Sequence, residues 1–174
     1  MSKIEVDAIE PQSGTSLTLG ASGDTITIPS GATLTNSGTA AGFGKVLQVV
    51  TATDSTQRST SSATYVTASN TLSVAITPSS ASNKILLLLS TGIQGSSGVS
   101  AYYTIYRDAT DLGPANGFFN YNTDVRESVT TNYLDSPNTT SAITYQLYFK
   151  IESSTAYINI NSSRSSLTAM EIQG

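Results

Sequence analysis

The chain has 174 residues, enough for one domain of ordinary size with an appendage, and its 12 acidic and 8 basic side chains leave a net charge of −4. Only 11 % of the residues are charged, against about 25 % in ordinary soluble domains, and Ser and Thr take the polar role instead. Cys and His are both absent, which excludes disulfides, thiolate metal sites and the Ser-His-Asp and Cys-His catalytic arrangements.

Nothing in the charge balance supplies the clustered Lys and Arg that bind nucleic acid, so no nucleic-acid partner is expected. No run approaches the roughly 20 apolar residues of a membrane-spanning helix, so no membrane insertion is expected either. The opening MSKIEVDAIEPQ breaks its apolar residues with acidic ones, unlike a signal peptide. Together these features suggest synthesis in a cytoplasm and release by lysis, as for a virus particle.

In chain order, residues 3–12 place Ile4, Val6 and Ile9 among acidic neighbours, and read as a short extended docking arm or a frayed terminus. Residues 13–42 repeat small apolar pairs between Gly/Ser turns: Leu17 and Leu19, Ile26 and Ile28, then Leu34. Each short strand has too few apolar residues to form a core alone. Burial at about 0.8 kcal/mol per methylene stabilises them only if several copies meet along an axis. A threefold β-prism with these five side chains inward satisfies the pattern; a flexible Gly/Ser/Thr linker is the alternative.

A compact domain is expected over 43–174. It opens with GFGKVLQVV, where Leu47 and Val49 alternate against Val46, Gln48 and Val50, and Tyr65 and Val66 suggest a further short strand. Its organising stretch is Thr71–Thr91. Leu72, Val74 and Ile76 alternate with polar residues, as on a half-buried strand. Pro78 to Asn83 read as a turn. The run Ile85, Leu86, Leu87, Leu88, Leu89 is apolar at both parities, so a strand there has two faces to cover. One faces a sandwich core; the other needs a loop, another sheet or another copy of the chain. A short buried helix is the competing reading of these five residues.

Further on, 99–108 (VSAYYTIYRD) suggests a strand, while 115–135 is less regular, with Phe118, Phe119, Tyr121 and Tyr133 as aromatic anchors. In 143–152, Ile143, Tyr145, Leu147, Phe149 and Ile151 alternate with Thr144, Gln146, Tyr148 and Lys150. AYINI (156–160) and LTAMEI (167–172) close the domain, the last with Leu167 and Ala169 opposite Met170 and Ile172, a pattern suited to a centrally paired strand. Short strands between turn signals predict an all-β sandwich or jelly roll.

Chemistry is sparse. Neither GxxxxGK[ST] nor GxGxxG occurs, so no cofactor is expected. Asp108, Asp111, Asp124, Glu127, Asp135 and Glu152 are formal candidates for a glycosidase pair, and Asp108 with Asp111 for an oxygen-ligand calcium site. Asn138 and Asn161 each open a glycosylation-type triplet, a pattern chance supplies readily in a Ser/Thr-rich chain. Nine Tyr and no Trp, with Tyr102, Tyr103 and Tyr106 on one strand, suit subunit contacts or stacking on sugar rings.

The segments SKIEVDAIEPQSGTSLTLGASGDTITIPSGATLT, GFGKVLQVV, ITPSSASNKILLLLS, TIYRD, YLDSP and LTAMEI resemble tail-fibre or virion structural proteins of tailed bacteriophages, marine and cyanobacterial ones in particular. The resemblance covers nearly the whole chain and implies a homotrimeric fibre or spike without catalytic residues. In it, 1–42 is an attachment arm and repeat stem and 43–174 a jelly-roll-like head reminiscent of the tumour-necrosis-factor and C1q arrangement. Other virion proteins would be met through the N-terminal region, and a host glycan or protein by the head. The expected trimer contacts are Leu17, Leu19, Ile26, Ile28 and Leu34 in the stem, with Ile85, Leu87 and Leu89 either at the interface or in the head's core. Tyr102, Phe118, Phe119 and Tyr121, with loops 92–98 and 109–124, are the expected receptor contacts. The alternatives are a capsid decoration or head-fibre protein that clamps the major shell, and a carbohydrate-binding module or small glycosidase.

Overall fold

The computed structural model describes Ile9, Pro11, residues 13–33, Thr35 and residues 46–174. The chain divides into two units, residues 1–43 and 44–174. The expected boundary at 42/43, the arm residues Ile4 and Val6, and Leu34 lie outside the described residues.

Among its described residues the first unit has turns but no strand. Ala21–Asp24 closes a turn in which Asp24 N donates to the Ala21 carbonyl (3.0 Å) and Ala21 N to the Asp24 carboxylate (2.7 Å). Gly23 at φ 95° supplies the left-handed residue that this turn needs. Leu17, Leu19, Ile26 and Ile28 are all exposed. Among the described residues the expected short strands therefore have no ladder, as two or three apolar residues bury too little to hold one.

The second unit is all-β. It is built from twelve strands: β1 (Val46–Asp54), β2 (Arg58–Thr60), β3 (Val66–Thr67), β4 (Ser73–Ile76), β5 (Lys84–Gln94), β6 (Ala101–Arg107), β7 (Thr110–Asp111), β8 (Phe119–Tyr121), β9 (Glu127–Asp135), β10 (Ile143–Ile151), β11 (Ala156–Ile158) and β12 (Ser165–Ile172). They form two antiparallel sheets. The first runs β1-β12-β5-β11-β2 with β9 on the other side of β5; the second runs β3-β10-β6-β7, with β4 also on β10 and β8 on β6.

The alternation read from the sequence becomes the core. Ile143, Tyr145, Leu147, Phe149 and Ile151 on β10 point inward, as do Val74 and Ile76 on β4, and meet Ile85, Leu87 and Leu89 of β5 and Leu167 and Ala169 of β12. Strand β12 is paired on both sides, by β1 and β5. Strands β4 and β5 do not pair with each other. The loop between them carries the chain from the second sheet to the first.

Several expectations are corrected. The apolar run of β5 is a strand, as expected, but it extends to Gln94, so residues 92–94 of the expected 92–98 loop are ladder. The less regular 115–135 contains the nine-residue strand β9, paired with β5 from Glu127 to Asp135. Its Thr, Ser and Asn residues gave little periodic apolar signal. The strand expected over 156–160 stops at Ile158, where Asn159 and Asn161 take left-handed conformations (φ 53° and 54°) that Asn tolerates better than most residues.

Buried polar groups tie the layers together. Asp135 at the end of β9 accepts from Arg107 Nη1 of β6 (2.9 and 2.8 Å) and from the Tyr145 hydroxyl of β10 (2.6 Å), bridging the two sheets. Glu171 of β12 accepts from Gln48 Nε2 (2.6 Å), Ser79 N (2.6 Å), Ser79 Oγ (2.8 Å) and Asn83 Nδ2 (2.5 Å). These bonds fasten the β4–β5 loop. Burial alone would raise the Glu171 carboxyl, but the donors outweigh it and hold its pKa at about 2.

Candidate interaction surfaces

On a half-exposed antiparallel sheet the outward positions are usually polar. The first sheet departs from this. Val49 of β1 lies beside Met170 of β12, Met170 beside Leu86 of β5, and Leu86 beside Leu134 of β9. One apolar row thus crosses four strands on the outward face. Val49 and Leu134, at its two ends, are 53 % and 54 % exposed. The next row is Thr51, Thr168, Leu88 and Asn132, with Thr51 and Thr168 hydroxyls 2.9 Å apart. A shallow groove runs between Leu88, Thr130–Asn132, Ser166 and Thr168.

At the other end of the face a register shift between Val46 and Gln48 leaves Val46 and Leu47 exposed beside Ile172. Lys84, opposite Ile172, turns its ammonium to Ser136 Oγ (2.8 Å), and brings the charge found at this margin. Four strands at about 4.8 Å and six residues at about 3.4 Å cover on the order of 400 Å². The apolar row takes up part of this face, and polar residues such as Thr51, Thr168 and Asn132 border it, as they do the apolar patches of many interaction sites. Among the described residues the face's outermost strands, β1 and β9, are each paired on one side only, which leaves two nine-residue edges for further pairing.

This face was only half legible. The five apolar residues of 85–89 announce two covered faces, and the structure separates them. Ile85, Leu87 and Leu89 are buried in the core, so they are not available to a partner, whereas Leu86 and Leu88 point outward. On β1 the larger apolar residues Leu47 and Val49 face out, and Gln48, Val50 and Ala52 face in.

The residues expected to touch a receptor are not brought together. Phe119 stacks on buried Tyr103 at 5.1 Å, Phe118 meets Tyr133 edge-on at 5.2 Å, and the Tyr121 hydroxyl donates to the Val125 carbonyl at 2.8 Å. These three pack against the core. Tyr102 lies on the opposite, outward face of the second sheet. There it joins Tyr65, Tyr106, Tyr148 and Lys150: Tyr106 and Tyr148 stack at 4.1 Å, Tyr65 stands 6.1 Å from Tyr106, and the Lys150 ammonium sits 4.4 Å from the Tyr65 ring centre and 5.0 Å from that of Tyr102. Side-chain parity separates Tyr103 from Tyr102 and Tyr106 in the sequence. The approach of Tyr65 and Tyr148 depends on long-range strand pairing and left no sequence signal.

Four of the six candidate carboxylates, Asp108, Asp111, Asp135 and Glu152, are occupied in turns and ties. Asp108 caps Thr144 N (2.9 Å), Asp111 accepts from Thr104 Oγ1 (2.5 Å) and Gly113 N (3.0 Å), and Glu152 accepts from the Tyr102 hydroxyl (2.6 Å). Among the described residues no three acidic side chains gather as a metal site would need, and no helix is long and apolar enough to cross a membrane.

No family model matches the sequence, and no curated protein matches it. Among solved structures the chain is similar to a mutant VP2 protein of infectious bursal disease virus in derived particles (17 % identity over 71 % of this chain, TM-score 0.43), to infectious bursal disease virus Gx strain (16 % over 73 %, TM-score 0.42) and to the VP2 subviral particle of that virus (16 % over 71 %, TM-score 0.41). It spans only 36–37 % of those chains. At these TM-scores the functional reading rests on this chain's own surfaces.

Proposed function

We propose that the protein is a non-enzymatic structural component of a virus particle, acting as a homotrimeric fibre or spike. Residues 1–42 attach it and form a stem, and 43–174 form a head displayed to the host surface. The observation that carries this reading is the uncharged apolar row Val49–Met170–Leu86–Leu134 on the outward face of the first sheet. A second copy of the chain is its best-matched occupant. The row presents no charge to be desolvated, so three copies meeting along one axis would bury aliphatic area without leaving charged groups unpaired. The phage-protein resemblance of the sequence supports the virion setting. The exposed Leu17, Leu19, Ile26 and Ile28 give the first unit the same need of sister chains.

Val49→Ser with Leu134→Ser tests the head contact. Both side chains are more than half exposed, so the fold itself should change by about 0.5 kcal/mol or less per site. Each loses about 1.5 kcal/mol of burial per contact in the trimer. The association constant should fall by about 100-fold or more, read by sedimentation. A trimer unchanged in affinity would remove the face from the interface. A wild-type chain that is monomeric in solution yet binds purified shells would replace the fibre by a capsid decoration protein.

Leu17→Ser with Ile26→Ser tests the stem. The assembly should loosen while the head's thermal transition stays in place. Equal trimer stability and equal heat resistance would reduce residues 13–42 to a linker.

A further inference from the structure

The two outward faces of the sandwich differ in chemistry, and the difference points to different occupants. The face of the first sheet is aliphatic with Ser and Thr between. That of the second is aromatic and rich in hydrogen-bonding groups: four Tyr rings, with Lys150, Gln146, Asp111 and Glu152 around them.

Cross-strand aromatic pairing stabilises a sheet, and the Tyr106–Tyr148 stack is enough for that. Tyr65 goes further. It precedes β3, yet its ring lies between Lys150 of β10 and Tyr106 of β6. Its hydroxyl reaches the far side of β6, where a Cβ on Gly117 would stand only 3.0 Å away. The ring is therefore laid across the sheet above Thr104, an outward-facing residue that is nonetheless fully buried. Gly117, at φ 69°, is required first by the Tyr103 carbonyl, which a Cβ would clash with, and its lack of a side chain also leaves room for the Tyr65 hydroxyl. The Tyr65 hydroxyl is screened from water and has no hydrogen-bond partner among the described residues. Leaving a buried polar group unsatisfied costs stability, and such costs gather at functional sites.

The Lys150 ammonium covers the Tyr65 ring and reaches towards that of Tyr102, so the ring left for a ligand's C–H face is that of Tyr102, with Tyr106 and Tyr148 stacked alongside. Tyr102 is fixed by its bond to Glu152, and Asp111 is held beside Tyr106 by the β6–β7 pairing. Acid, amide, phenol and ammonium surround the rings, and Lys150 offsets one of the two carboxylates, Asp111 and Glu152, leaving one net negative charge that disfavours an acidic ligand. A flat ring that receives a C–H face, with mixed donors and acceptors for hydroxyls and no net positive charge to draw an acidic ligand, is the chemistry of a neutral saccharide.

We infer that the outward face of the second sheet, centred on Tyr65, Tyr102, Tyr106 and Tyr148, binds a neutral glycan. The inference rests on the display half of the reading above and gives that display a ligand class and an address.

The full chain would be applied to an array of neutral and acidic glycans, and the neutral hits titrated in solution by saturation-transfer NMR. Binding to neutral glycans is expected, with affinity falling at least tenfold in Tyr102→Ala and in Tyr148→Ala and kept in Tyr148→Phe. Tyr102 is half exposed, so its alanine variant keeps the fold even where loss of the Tyr106–Tyr148 stack does not. Binding to no neutral glycan, to acidic glycans alone, or with equal affinity in a folded Tyr102→Ala variant overturns the inference. Sedimentation of the same samples separates the two readings. A trimer without glycan binding removes this site alone, and a monomer that binds removes the assembly alone.

Discussion

Asp135→Ala should cost about 3 kcal/mol or more of the head's stability, lowering its thermal midpoint by roughly 10 °C. The carboxylate is 5 % exposed and joins the two sheets through Arg107 and Tyr145. Burial works against the Arg107 charge, but the bond to Asp135 and its charge outweigh that and raise the guanidinium's pKa. Without the carboxylate, a guanidinium only 23 % exposed loses its counter-charge and the Tyr145 hydroxyl loses its acceptor inside the core. Removing one partner of a buried pair costs about 3–5 kcal/mol, and the partial exposure of Arg107 places this case at the low end. Asp135→Asn, which keeps an acceptor, should lose less. Urea unfolding of the three proteins gives the comparison. Equal midpoints for wild type and Asp135→Ala would mean that the tie between the sheets holds nothing.

Acid should loosen the domain through Glu171. Its folded pKa, about 2, lies below the ordinary glutamate value of 4.5, so as pH falls the unfolded chain takes the proton first. The stabilisation is complete above about pH 4.5 and is lost between there and about pH 2. A shift of this size corresponds to about 3 kcal/mol. The released element is the 77–83 loop, since Ser79 and Asn83 give their hydrogen bonds to this carboxylate. Glu171→Gln should be less stable than wild type at pH 7 and nearly equal to it near pH 2. Denaturant curves across that range with the same spacing between the two proteins at every pH would show that Glu171 carries no acid sensitivity.

How legible each part was follows from how local its cause is. Strand β10 was readable in full because five large apolar residues alternate without interruption. Strand β12 was readable for the same reason over a shorter run, and β5 because Ile85–Leu89 is apolar at both parities. Strand β9 was not readable. Between Glu127 and Asp135 only Val129, Tyr133 and Leu134 are large and apolar, and its place in the sheet comes from pairing with β5. The open apolar face depended on the same pairing, since Val49, Met170, Leu86 and Leu134 come from four separate parts of the chain. The aromatic face on the other sheet has the same origin: Tyr102 was visible as a candidate, but its true neighbours arrive from β3 and β10. Phe118, Phe119 and Tyr121 drew attention by being aromatic in a loop-rich stretch, and they serve the core.

The most direct measurement is the solution mass of the wild-type chain at micromolar concentration by sedimentation equilibrium. The proposed homotrimer, with the Val49–Leu134 row buried between sister copies, predicts three times the 18.1 kDa chain mass. A single species of one chain mass, soluble and stable with that row open to water, would contradict it.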